Sequence, residues 1–250
     1  MQLHGLHHVT AVTGNASANL DFYTRILGLR LVKKTVNQDD TSAYHLFYAD
    51  KIGSPGTDMT FFDWPQTNQD QRGTDSIAKT MFRVNGRESL DYWAKRLTEQ
   101  QVKVQPISRF RDRDILRFED PEGQRLALVD DKGELFEGEV WDATDVPAEY
   151  ALRGFHAVAL SVPALDQVGT ILSQILHFEE VERLPNPDNS AEEIAIYAMD
   201  GGGSGKEIHV YVQPEAQRAW LGRGGVHHVA FRLRDSGEQQ AWQAHLHRAG

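Results

Sequence analysis

The stretch Gly5–Asn15, GLHHVTAVTGN, carries a His-His-Val triplet that returns in Gly224–Gly237, GGVHHVAFRLRDSG. Both copies have the β-branched, apolar character of a strand. Successive strand side chains point to opposite faces. His8 therefore shares a face with Leu6 and Thr10, and His7 shares one with Val9. In the second copy His228 shares a face with Val226 and Ala230.

The flanking sequence shows why the triplet recurs. After LHHVTAV comes TGNASANLDFYTRILG, in which Leu20, Tyr23, Ile26 and Leu27 fall on one helical face. Asn15 or Ser17 is its expected N-cap and Gly28 its stop. Three strand-like runs follow: LRLVKKTV, AYHLFYA and TDMTFFDW. The layout repeats with IAKTMFRVN, a helix carrying Leu90, Trp93, Ala94 and Leu97, and the runs KVQPISRF, ILRFED and RLALVDD. It repeats again with FHAVALSV, LDQVGTILSQIL, FEEVERL, EEIAIYAMDG and KEIHVYVQP. The fourth copy offers HHVAFRLRD and then a helix capped by Ser236.

The copies begin near Leu6, Ile77, Gly154 and Val226, spacings of 71, 77 and 72 residues. A fixed period signals one repeated supersecondary unit, here strand, helix and three strands. The expected fold is α+β, built from tandem βαβββ modules. Module 1 spans 1–73, module 2 spans 74–131, an acidic linker spans 132–152, module 3 spans 153–222, and 223–250 begin module 4. That module is expected to be truncated and the chain to be a fragment, since an unfinished sheet exposes unpaired edges.

Composition narrows the function. The 250 residues carry 26 basic and 36 acidic side chains, a net charge of −10. Binding along a phosphate backbone needs concentrated Lys and Arg, so no nucleic-acid partner is expected. The absence of cysteine removes thiolate catalysis and Cys-rich zinc sites. No apolar run approaches membrane-spanning length, so no membrane partner is expected. The N-terminus has no leader-like pattern. A reducing cytoplasm is the expected compartment.

Among the 11 histidines most have ordinary readings. His4, His245 and His247 read as solvated, His45 and His209 as packed or surface strand residues, and His177 as a helix-end residue. If modules 1 and 4 pair, His8 and His228 face each other across a cleft. Two imidazoles so placed can hold a divalent metal, with a carboxylate and solvent completing the set. The alternative is a pair of core histidines with satisfied ring nitrogens. Modules 2 and 3 would then pair with each other and supply only His156, which reads as a relic of the repeat.

Strand-helix-three-strand units with a histidine on the first strand resemble the vicinal oxygen chelate superfamily. LDFYTRILGLRLVKKTVNQDD, YHLFYADKIGSPGTDMTFFDWP and GGVHHVAFR resemble, more narrowly, its bacterial ring-cleaving dioxygenases that act on hydroquinones. The resemblance implies Fe(II) held by two histidines and a glutamate, with Mn or Zn as other occupants. His8 and His228 match the histidines. The glutamate is expected on a strand beyond residue 250. His7, Thr10 and His227 match the residues that support the ligands and the reaction. The implied reaction inserts O2 into a hydroquinone- or catechol-like ring and opens it, with His7 or His227 shuttling a proton or orienting a ligand. Small aromatic substrate and O2 are the implied partners, and a homo-oligomer is a further expectation. The rival readings are a glyoxalase-like lyase or isomerase using Zn, Ni or Mn, and a metal-free protein that binds an aromatic ligand.

Overall fold

An amphipathic strand must hide one face, and each repeat supplies a helix to cover it. The computed structural model, which describes residues 1–36 and 43–250, carries this out four times. The first unit has β1 (Leu6–Thr13), α1 (Ala16–Asp21), β2 (Arg30–Val36), β3 (Tyr44–Ala49) and β4 (Asp58–Asp63). The second has β5 (Ser76–Val84), α2 (Gly86–Glu99), β6 (Ser108–Phe110), β7 (Arg113–Glu119) and β8 (Arg125–Asp130). The third has β9 (Phe155–Val162), α3 (Asp166–Thr170), β10 (Glu179–Asn186), β11 (Asn189–Ala198) and β12 (Glu207–Val212). The fourth contributes β13 (Val226–Phe231) and α4 (Ser236–Ala249).

Within a unit the last strand lies parallel to the first: β4 beside β1, β8 beside β5 and β12 beside β9. Units join through their first strands, antiparallel. β1 pairs with β13, which joins unit one to unit four. β5 pairs with β9, which joins unit two to unit three. The two halves meet where Val226 pairs with Ile77.

Alternation decides what each face does. Val9, Ala11, Met59 and Phe61 point to the helix side, fully buried, with Phe22, Tyr23, Leu90, Trp93, Leu97 and Trp242. Full burial of a large apolar side chain stabilises by roughly 1.5–3 kcal/mol each, so this side is the main core. On the inner face of units two and three a smaller cluster forms from Met81, Ile115, Ala157, Ala159, Ile194 and Ile196.

Several local features depart from simple periodicity. Asn15 caps α1, its Oδ1 accepting from the Ala18 amide at 3.1 Å. The helix then loosens into a π turn over Phe22–Ile26, where the Leu27 amide donates to the Phe22 carbonyl at 2.9 Å. A π turn holds one extra residue and rotates the buried stripe. Asn19 thus turns inward, and Leu20 is 38% exposed instead of packed. The third unit repeats this at Ile171–Ile175, with Leu176 donating to Ile171 at 2.9 Å. Gly28 ends the first helix at φ +72°, where a Cβ would lie 2.8 Å from Val146 Cγ2. The cap of α4 is Asp235, whose Oδ1 accepts from Glu238 N at 2.8 Å, one residue before the expected Ser236. β6 is shorter than its run because Pro106 has no N–H to donate.

Residues 132–152 are packed against both first units. Trp93 Nε1 donates to the Tyr150 carbonyl at 2.7 Å, Arg96 pairs with Asp145 at 2.6 Å, and the Glu139 amide donates to Asp50 at 3.1 Å. Among the described residues no helix is long and apolar enough to cross a membrane.

Candidate functional site

Both His-His dipeptides interrupt the ladder between β1 and β13. Leu6 pairs with Phe231 and His8 with Ala230, so His7 is an extra residue on β1. Thr10 pairs with His228 and Ala11 with Val226, so His227 is an extra residue on β13. An inserted residue re-aims its side chain. This overturns the strict alternation expected for His7: its ring meets that of His8, Nδ1 to Nδ1 at 3.0 Å. The second copy matches it, His227 Nδ1 lying 2.8 Å from His228 Nδ1.

The outer ring nitrogens converge. His8 Nε2 and His228 Nε2 are 3.2 Å apart, with the rings nearly perpendicular. Thr10 Oγ1 is 3.0 Å from His228 Nε2 and 2.7 Å from Thr60 Oγ1. Thr60 Oγ1 is in turn 3.0 Å from His45 Nε2. The structure thus brings together all five residues singled out in the sequence, His7, His8, Thr10, His227 and His228. It adds Thr60 and His45. The sequence signal for them was the unit's topology: the last strand lies beside the first, which sets Thr60 opposite Thr10. His45, read from sequence as a packed or surface residue, stands one strand further on the same face.

Four of these imidazoles, His7, His8, His45 and His228, are pushed toward the neutral form. Burial, then the neighbouring His7, His228 and His45, lowers His8 to about 4. Burial, then His228 and Lys33, lowers His45 to about 4. His228 is lowered by burial and His227, and His7 by burial and Arg232. Neutral rings with lone pairs on Nε2 are what a metal requires. Aromatic groups wall the cluster. Phe62 and Trp64 stack at 5.4 Å and both meet His227 edge-on, at 5.3 and 5.8 Å.

The remaining histidines lie elsewhere. His156 contacts Ser204 Oγ at 2.9 Å and faces His209 on the inner side of units two and three. His4 and His245, expected to be solvated, are engaged: His4 Nε2 meets Glu238 Oε1 at 3.2 Å and His245 Nε2 meets the Ile175 carbonyl at 2.9 Å. A cavity of about 380 Å³ reaches His227 and Val226 but not His8, Thr10 or His228.

Two nitrogens bound cis to one ion at roughly 2.1 Å each stand about 3 Å apart, close to the 3.2 Å between His8 Nε2 and His228 Nε2. The donor set therefore fits two positions of a metal. Among the described residues no cluster of three His, Cys, Asp or Glu side chains surrounds such a point.

Residues 5–128 match the model of the Glyoxalase/Bleomycin resistance protein/Dioxygenase superfamily. MhqA of Bacillus subtilis (strain 168), named as a ring-cleaving dioxygenase, is 42% identical over 250 residues, covering 100% of this chain and 78% of its own. The chlorohydroquinone/hydroquinone 1,2-dioxygenase of Sphingobium indicum is 31% identical over 247 residues, covering 96% of this chain and 74% of its own. A crystal structure from B. subtilis described as a dioxygenase superposes with a TM-score of 0.88 at 33% identity, covering 100% of this chain and 76% of that one. Glyoxalase I from Zea mays shares the fold alone, with a TM-score of 0.68 at 13% identity over 96% of this chain and 79% of that one. By its identity to these relatives over almost its whole length, the chain belongs to the ring-cleaving dioxygenases of the glyoxalase/bleomycin resistance protein/dioxygenase superfamily.

Proposed function

We propose that this enzyme uses Fe(II) to open the ring of a hydroquinone- or catechol-like aromatic with O2, and that His8 and His228 hold the iron. The observation that carries the reading is the approach of the two Nε2 atoms to 3.2 Å. If His8 donates Nδ1–H to His7, and His228 donates to His227, both Nε2 atoms carry lone pairs aimed at one place. Neither can then donate to the other, and a cation resolves the conflict. Mn or Zn would satisfy two imidazoles as well. Iron is favoured by the relatives' dioxygenase names.

The bound ion would supply the redox chemistry that lets O2 react with an electron-rich ring. The chain's residues do the rest. His7 and His227 accept from the ligands and so fix their tautomer and orientation. That role commits their Nδ1 atoms and leaves each Nε2–H as a donor toward a substrate oxygen. The Thr10 hydroxyl can donate to His228 Nε2 only while that nitrogen carries no ion; a bound ion would take the lone pair and leave Thr10 held by Thr60. Phe62 and Trp64 offer a flat apolar surface for the ring.

The test reconstitutes the protein anaerobically with Fe(II) and measures iron content beside oxygen uptake on a substituted hydroquinone. His8→Ala and His228→Ala should each lose both iron and turnover. His7→Ala should keep most of its iron and lose only part of its rate, about 10–100-fold, as expected of a partner of a ligand. A His8→Ala protein with full iron and full turnover would overturn the assignment.

A further inference from the structure

The inner face of units two and three is the counterpart of the face that carries the His-His pairs. Its floor is apolar, from Met81, Ile115, Ala157 and Ile194. At its closed end Phe110 and Arg111 shut a space of about 10 Å³ against His156 and His209. At its open end lies a cavity of about 190 Å³ bordered by Lys79, Arg125, Tyr211 and the turn between β10 and β11.

The registers place three cations together here. Thr80 pairs with Leu126, which sets Lys79 beside Arg125 on the same side of β5 and β8. Arg117 pairs with Ala127, two residues from Arg125 and on that same side. In a chain with ten more acids than bases, basic groups find carboxylates easily. Among the described residues none of Lys79, Arg117 and Arg125 forms an ion pair within 4 Å; Asp70 and Glu119 act on Arg125 only from a distance, and burial and Arg72 outweigh them. Arg117 Nη1 donates to Ser108 Oγ at 2.6 Å, while its Nε is enclosed and without any partner. Lys79 Nζ lies over the Tyr211 ring at 4.9 Å. Burial, then Arg117 and Arg125, draws Lys79 down to about 8.

Two acids border the same cavity. Glu192 is already satisfied, accepting from Asn186 Nδ2 at 2.8 Å, Asn189 Nδ2 at 3.0 Å and Gln213 Nε2 at 2.9 Å. Asp188 acts on Lys79 only at a distance, beyond ion-pair contact. Like charges that repel in a partly enclosed cleft, with donors unspent, are arranged for an anion that arrives from outside. The cavity is smaller than the roughly 300–1,000 Å³ of a drug-sized site. We propose that Lys79 and Arg125, backed by Arg117, form a binding site for a small multivalent oxyanion, a di- or tricarboxylate or a phosphate. The site is separate from the histidine cluster and does not depend on a metal.

Isothermal titration calorimetry of the chelator-treated protein at low ionic strength, with inorganic phosphate in one arm and maleate in the other, tests it. The expected result is saturable binding of at least one, weakened at least tenfold by Lys79→Met and by Arg125→Gln. Lys95→Met, on the exposed side of α2, should leave it unchanged. The tighter arm assigns the natural ligand to phosphates or to carboxylic acids. A readout that needs no variant is the acetylation rate of Lys79 in the wild-type protein, followed by mass spectrometry. The bound anion should slow it severalfold while Lys95 reacts as before. No saturable heat with either anion, equal binding by Lys79→Met, or unaltered acetylation of Lys79 at saturating anion would each overturn the proposal.

Discussion

Thr10→Val isolates the hydroxyl that links the two strands behind the histidine pair. Thr10 is wholly buried, and its Oγ1 reaches Thr60 Oγ1 at 2.7 Å and His228 Nε2 at 3.0 Å. Valine keeps the shape and removes both contacts. Each neutral hydrogen bond contributes about 0.5–1.5 kcal/mol net. The Thr60 hydroxyl keeps His45 as a partner, and half-buried His228 can reach solvent, so no group is stranded. The expected loss is about 1–2 kcal/mol, which for a chain of this size lowers Tm by roughly 2–8 °C. The assay is thermal unfolding of the chelated protein, because a bound metal raises apparent stability by mass action. Thr10→Ser should restore most of the loss. Thr13→Val gives the scale: its hydroxyl donates to the Glu122 carboxylate at 2.6 Å, and a bond to a charged group is worth about 1.5–3 kcal/mol. A Thr10→Val protein that melts at or above wild type, or a Thr10→Ser protein that melts as low as Thr10→Val, would refute the hydroxyl chain.

Asp131→Ala should be far more damaging. Asp131 is fully buried between Arg83 at 2.8 Å and Arg153 at 3.2 Å, and breaking such a cluster costs about 3–5 kcal/mol; urea unfolding showing under 1 kcal/mol would count against it. His156 should make the fold acid-sensitive. Burial, then His209, lowers it from 6.5 to about 3, so between those values the unfolded chain binds the proton more tightly and stability rises with pH. The slope approaches 1.4 kcal/mol per pH unit for one such group. His156→Gln should flatten the dependence by that amount between pH 6 and 4; parallel curves for the two proteins would dismiss it.

Periodicity made much of this fold readable. Leu90, Trp93 and Leu97 sit where helical spacing puts them, and the strand runs became strands in order. The pairing of unit one with unit four followed from where the His-His triplets stood, and β1 does lie against β13. The misses have a common origin in backbone irregularity that no residue type announces. The π turn at Phe22–Ile26 contains no Gly or Pro, so helical spacing alone puts Leu20 on the wrong face. The bulges at His7 and His227 likewise lack a turn signal, so alternation separated rings that actually touch. An isolated threonine or histidine in a strand is ordinary, so sequence gives Thr60 no role and reads His45 as packed or surface; only the parallel register of β4 on β1 makes Thr60 a neighbour of Thr10.

The same irregularity explains how one repeated unit gives two unlike clefts. Val9 pairs with Val229 at the centre of the β1–β13 ladder, so an approximate two-fold relates His8 to His228 and Thr10 to Ala230. The bulges on both strands obey that symmetry and turn four imidazoles to one side. The hydroxyl breaks it: His228 has Thr10 opposite, while His8 has the bare methyl of Ala230. Where β5 meets β9, the ladder brings Met81 against Ala157 and Lys79 against Ala159. Small and apolar side chains let those strands close over a packed floor, and the two first strands cannot supply an imidazole pair because β5 carries no histidine; His156 of β9 faces His209 of β12 instead. What distinguishes the two halves is therefore a handful of inward-facing positions on four first strands. A change at those positions can redirect chemistry without disturbing the helix-covered core on the other face.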